Sequence, residues 1–111
     1  MTNPIMTEHI EEDAAGNELG KRYWWWCPGC DTLHVFDNRW TMSGTLEAPT
    51  FDGSYLSRRN RWNPETREHD IPFGEVCHSF VRAGRIEYLA DCTHRLGGQT
   101  IDMVPLPDGW A

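Results

Sequence analysis

No apolar run approaches the roughly 18 residues that cross a bilayer as a helix, so neither a membrane segment nor a membrane partner is expected. The first residues lack the basic start and apolar stretch of a secretory signal, which makes a cytoplasmic location the expectation. Positive charge is scarce: 10 Lys and Arg stand against 17 Asp and Glu, for a net charge of −7. That balance argues against a protein that tracks phosphates, and no nucleic-acid partner is expected. Internal repeats, heptads and long amphipathic helices are all missing. Apolar side chains are also few. At 39% hydrophobic, 111 residues suffice for one domain with a marginal core, the situation in which small domains add a staple.

Four cysteines and six tryptophans are what the chain offers for that staple and core. In a reducing compartment, closely spaced cysteines more often hold a metal than pair as disulfides. Residues 1–20 carry five carboxylates (Glu8, Glu11, Glu12, Asp13, Glu18) and no Lys or Arg, and read as a flexible acidic tail ahead of a domain at 21–111. Arg22–Trp26 reads as an aromatic strand, Cys27-Pro28-Gly29-Cys30 as a tight turn, and Leu33–Phe36 as the returning strand. A small hairpin follows, with Ser43-Gly44 at its turn. Pro49–Leu56 is extended, and Gly53 permits a bend beside Ser54. Ser57–Pro72, with Arg58, Arg59, Arg61 and Arg67, reads as a solvated loop whose contacts with any substrate would be Arg61 and Trp62. Val76–Leu89 is the clearest hairpin, followed by a Cys/His turn at Asp91–Leu96 and a last strand at Gln99–Val104. The fold class is mainly β: one small domain of antiparallel hairpins stapled by a Cys-rich zinc site, with a disordered acidic N-terminus.

Two thiolates separated by two residues can point at one tetrahedral ion, as Cys27 and Cys30 would around Zn2+. If Val81 faces Ile86 across the hairpin turn, strict alternation puts Cys77, Ser79, Val81, Ile86, Tyr88, Ala90 and Cys92 on one face. Cys27, Cys30, Cys77 and Cys92 are then the expected ligands, with His34, His78 and His94 as competitors for a place. Four protein ligands make the ion structural. On the opposite face the same register makes His78 and Asp91 diagonal neighbours, a pairing that can fix a histidine tautomer for proton transfer. Ser54, exposed by the Gly53 bend, is the leading nucleophile, and Ser79 would face the metal side.

An ordered set of motifs goes further. Cys27-Pro-Gly-Cys30 with His34, Gly44–Phe51 with Ser54, Cys77-His78-Ser79-Phe80-Val81-Arg82 with Gly84-Arg-Ile86, and Asp91-Cys92-Thr93-His94 with Gly98-Gln99 together resemble one family. It consists of small phage and bacterial proteins, domain of unknown function family 6527, also called BubE where it accompanies ubiquitin-like conjugation genes. The resemblance covers roughly residues 23–104. It implies a peptidase-like hydrolase that removes a ubiquitin-like protein from its target or trims its tail, with Ser54 as nucleophile, His78 as base and Asp91 as orienting carboxylate. The family's usual proline before that serine is Gly53 here, and the Arg-rich stretch 57–72 is longer than in the family pattern. Two other readings stand beside the enzyme: a non-catalytic phage accessory or protein-binding module with a structural zinc, and a metal-dependent hydrolase using His34, His78 or His94.

Overall fold

Alternation of apolar and polar side chains governs the architecture. In the computed structural model, which describes residues 3–110 apart from the Phe73 side chain, all the regular elements are antiparallel strands. One sheet has the order β1 (Met6–Glu12), β2 (Glu18–Cys27), β3 (Thr32–Phe36). A two-stranded ribbon joins β4 (Met42–Thr45) to β5 (Ala48–Phe51). The third sheet has the order β6 (Tyr55–Asn63), β7 (Glu68–Arg82), β8 (Arg85–Tyr88), β9 (Thr100–Asp102). Among the described residues there is no helix long and apolar enough to cross a membrane.

On β2, Tyr23, Trp25 and Cys27 point inward while Trp24 and Trp26 lie at the half-buried outer face. Trp25 is fully buried, stacked on Phe36 with ring centroids 5.9 Å apart and edge-on to His34 at 5.0 Å. Phe36 in turn stacks on Phe51 at 3.9 Å, which joins the first sheet to the ribbon. Each such ring contributes roughly 2–3 kcal/mol through burial alone. Aromatic rings around Trp25, Phe36 and Phe51 thus supply much of the core, beside Val81, Ile86, Leu96 and Leu106. Trp40 edges onto Phe36 and donates its indole N–H to the carbonyl of Ser54 at 3.1 Å. Gly53, at φ 98°, makes the bend that this bond locks.

The acidic leader is corrected by the structure. Residues 1–2 lie outside the described residues, as does Ala111, but Met6–Glu12 is a strand paired along β2, and the expected boundary at residue 20 falls within β2. Three of its five carboxylates are engaged by partners. Glu8 faces Lys21 at 3.9 Å and Glu11 faces Arg22 at 2.6 Å. Asp13 accepts the main-chain N–H groups of Ala15 and Asn17, closing the hairpin turn. Those hydrogen bonds, chiefly from Asn17, hold the Asp13 carboxyl below its usual range. Met6 is 2% exposed, packed in the core. Met6→Ala is thus expected to cost about 2–4 kcal/mol, read as a lowered denaturation midpoint; an unchanged midpoint would show that β1 is not docked.

Two other expectations change. The stretch 57–72 is no loop but the distal part of the β6–β7 hairpin, with register shifts between Arg59 and Arg61 and between Arg61 and Asn63. The small hairpin turns at Leu46-Glu47, with Ser43-Gly44 inside β4.

Candidate functional site

Cys27 ends β2, and the turn that follows brings Cys30 back beneath it, with the Cys30 N–H directed at Cys27 Sγ at 3.4 Å. Cys77 reaches the same point from β7, its Sγ 3.9 Å from Cys27 Sγ. The fourth group is His94, whose Nε2 lies 3.4 Å from Cys77 Sγ. The ligand atoms of Cys27, Cys30, Cys77 and His94 all fall within 4.8 Å of one another. A tetrahedral ion with bonds of about 2.3 Å to sulfur separates its sulfurs by about 3.8 Å, so the spacing fits a metal of that kind. Three thiols and an imidazole are a donor set for a borderline-soft cation.

Cys92 lies outside this cluster. The Val81–Ile86 register is as alternation predicts, but β8 stops at Tyr88. Leu89 N–H then bonds the His78 carbonyl and Cys92 N–H the Leu89 carbonyl, turning the chain before Cys92 can continue the strand. Cys92 Sγ instead accepts the His78 N–H at 3.2 Å and donates to the His78 carbonyl at 3.1 Å. The turn delivers His94, two residues on, to the thiols. His34 is buried against Trp25 and Tyr55, outside the cluster, and its Nε2 has no hydrogen-bond partner.

Glycine at position 29 is a condition of this geometry. A Cβ there would stand 2.4 Å from the His94 ring. Gly29→Ala is expected to lower metal affinity about tenfold or more, in line with other changes that disturb ligand orientation. Competition with a chromophoric chelator measures this; unchanged affinity would mean His94 is not held there.

Electrostatics favour one thiolate over the others. Hydrogen bonds from the Cys30 and Cys77 thiols hold Cys27 well below its ordinary range. The same contacts push Cys77 up and raise Cys30 to about 12. Tyr88, driven up by burial and by Cys27, keeps its proton and points its hydroxyl at Cys27 Sγ at 3.1 Å. Leu96 N–H donates to His94 Nδ1 at 3.2 Å, which leaves the neutral ring's proton on Nε2. Holding a metal through Nε2 requires that proton to move to Nδ1 and the Leu96 contact to be given up. A cavity of about 220 Å³ opens beside the cluster, between Cys30, His94, Arg59, Arg61 and Glu75.

The other face of β7 carries different chemistry. His78 Nδ1 lies 3.1 Å from Asp91 Oδ2, so the ring can donate there and leave Nε2 free. His78 is a quarter exposed and Asp91 more than half. Leu56 is the β6 partner of His78. The ladder begins at Tyr55–Ser79, and extending it two residues back from Leu56 would set Ser54 across from Phe80 and diagonal to His78, the relation that in a regular ladder separates backbones by about 7–8 Å. Among the described residues, no hydrogen bond joins Ser54 Oγ to His78. Ser79 is fully buried, on the metal side of the sheet.

A small β domain with a Cys/His cluster on one side and a His–Asp pair on the other is the class of molecule these residues define. The family model for the bacterial ubiquitination-like system serine protease, BubE, matches residues 4–89, and the chain belongs to that family. The family's setting points to a protein substrate. No curated protein and no solved structure matches the chain.

Proposed function

We propose that this chain is a serine peptidase stapled by a structural zinc ion, acting at the C-terminus of a ubiquitin-like protein. The observation that supports it most is the His78–Asp91 hydrogen bond, on the side of β7 that lies diagonal to Ser54 and away from the thiols. Ser54 Oγ attacks the scissile carbonyl carbon while its proton passes to His78 Nε2. His78 returns that proton to the leaving amine as the C–N bond breaks. Water, giving a proton to the same nitrogen, then attacks the Ser54 ester; the bond to Ser54 Oγ breaks, that oxygen takes the proton back from His78, and the new carboxylate is freed. Nearby main-chain N–H groups stabilise the oxyanion. Asp91 accepts from Nδ1–H, fixing the tautomer, and Cys92 holds the His78 backbone in place. Cys27, Cys30, Cys77 and His94 would hold the zinc, which supplies folding energy.

The experiment is to offer the metal-loaded chain ubiquitin-like proteins bearing C-terminal extensions and to find the new terminus by mass. Cleavage after the ubiquitin-like moiety is expected. No cleavage of any such substrate would favour the non-catalytic binding module. Asp91→Asn is expected to lower kcat by about 10- to 1000-fold, less than the ~10⁴ of a fully buried triad aspartate, because solvent partly replaces its contact. A kcat equal to wild type would remove Asp91 from the mechanism. The cavity beside His94 favours a second reading, in which an ion with an open position acts on substrate. Full activity of Ser54→Ala would select it.

A further inference from the structure

Among the described residues no strand pairs with the outer edge of β6, and the hydrogen bonds of β7 show which of its groups face that edge. Leu89 N–H donates to the His78 carbonyl and Thr93 N–H to the Val76 carbonyl, so even-numbered residues here turn their main-chain groups toward β8 and the following turn. Odd-numbered Glu75, Cys77 and Ser79 turn theirs toward β6, where their partners are Arg59, Ser57 and Tyr55. Leu56 and Arg58 therefore direct their N–H and C=O groups outward. Ser54 obeys the same parity, its carbonyl taken by Trp40. The free stretch ends at Asn60, whose carbonyl meets His69 Nδ1 at 3.4 Å.

This edge is basic in an acidic chain. β6 carries Arg58, Arg59 and Arg61 and no carboxylate, against a net charge of −7 for the whole chain. Arg59 is engaged by Glu75 at 3.5 Å. Arg58 and Arg61 have no ion pair among the described residues. Leu56 is 45% exposed beside them. Charge on an edge strand discourages pairing with a second copy, since like guanidiniums would face one another. The same charge welcomes a strand of opposite sign.

We propose that an extended acidic peptide adds to β6 as a further strand, bonded to the main chain of Leu56 and Arg58, with carboxylates on Arg58 and Arg61 and an apolar side chain over Leu56. Such an addition draws affinity from main-chain hydrogen bonds and selectivity from alternate side chains. The edge begins next to Ser54, so the segment so bound is the tail of the protein substrate; only this delivery step rests on the serine reading above.

The test is fluorescence anisotropy of labelled extended peptides with the full-length, metal-loaded Ser54→Ala chain, in which no turnover intervenes. An Asp/Glu-rich peptide is expected to bind at least about tenfold tighter than its Lys-rich counterpart. N-methylation of the amides facing the edge is expected to weaken it about fivefold or more, with the protein itself untouched. Arg58→Glu combined with Arg61→Glu should abolish the acidic preference. Equal binding of methylated and unmethylated peptides, or of acidic and basic ones, would overturn the proposal. So would absence of binding, or a dimer in sedimentation that the acidic peptide fails to dissociate. Selective binding by a chain whose wild type cleaves nothing would remove the serine reading and leave the edge site standing.

Discussion

Cys27→Ser is expected to leave the domain unfolded, or nearly so, at room temperature, and a strong chelator should do the same to the wild-type chain. The thiols of Cys27 and Cys77 are 50 residues apart in sequence, and with Cys30 and His94 they tie the first sheet to the third and to the turn after β8. Structural zinc contributes roughly 10–16 kcal/mol in small metal-folded peptides. A domain of this size has a net stability of only about 5–15 kcal/mol. Losing the ion thus removes an amount comparable to the whole. Cys92→Ser is the internal control: it should keep full metal content, because its sulfur bonds the His78 backbone. Circular dichroism melts with metal analysis read both variants. Full metal content and an unchanged Tm in Cys27→Ser, or loss of metal in Cys92→Ser, would overturn the assignment.

Ser54→Ala and His78→Ala are each expected to lower kcat/KM by about 10³-fold or more, with the double variant little worse than either. Nucleophile and base act as a unit, so removing one makes the other idle. Metal content and Tm should stay near wild type, because neither side chain belongs to the cluster of Cys27, Cys30, Cys77 and His94. That separation gives the prediction its force. A fall in activity accompanied by lost metal would mean that the two sides of β7 do not divide the work in this way. Substrate titrations on purified, metal-assayed variants supply the comparison.

Local alternation made the β7–β8 hairpin legible, and the Val81–Ile86 pairing followed from it. Alternation holds only while a strand lasts, however, and nothing in the run Tyr88-Leu89-Ala90-Asp91 announces that β8 ends at Tyr88. Extending the count to Cys92 put it in the place that the structure gives to His94. The competing histidine, His94, was visible as a candidate, but its access to the thiols depends on the Leu89–Cys92 turn and on the missing side chain of Gly29. The N-terminal strand was hidden by its charge. Glu8 and Glu11 suggest solvation until strand pairing sets Lys21 and Arg22 diagonally across from them, a tertiary fact. The signal available was Gly16-Asn17 following Asp13, a turn flanked by Ile10 and Leu19. The distal β6–β7 hairpin was illegible for a different reason: its strands are exposed on most positions, so they show no apolar period at all.

The most direct measurement is covalent labelling of the metal-loaded wild-type chain with a fluorophosphonate, followed by peptide mass mapping. The expected result is one adduct, on Ser54, that disappears in His78→Ala while zinc stays bound. A chain that cleaves its substrate yet carries no adduct on Ser54 would contradict the serine mechanism outright.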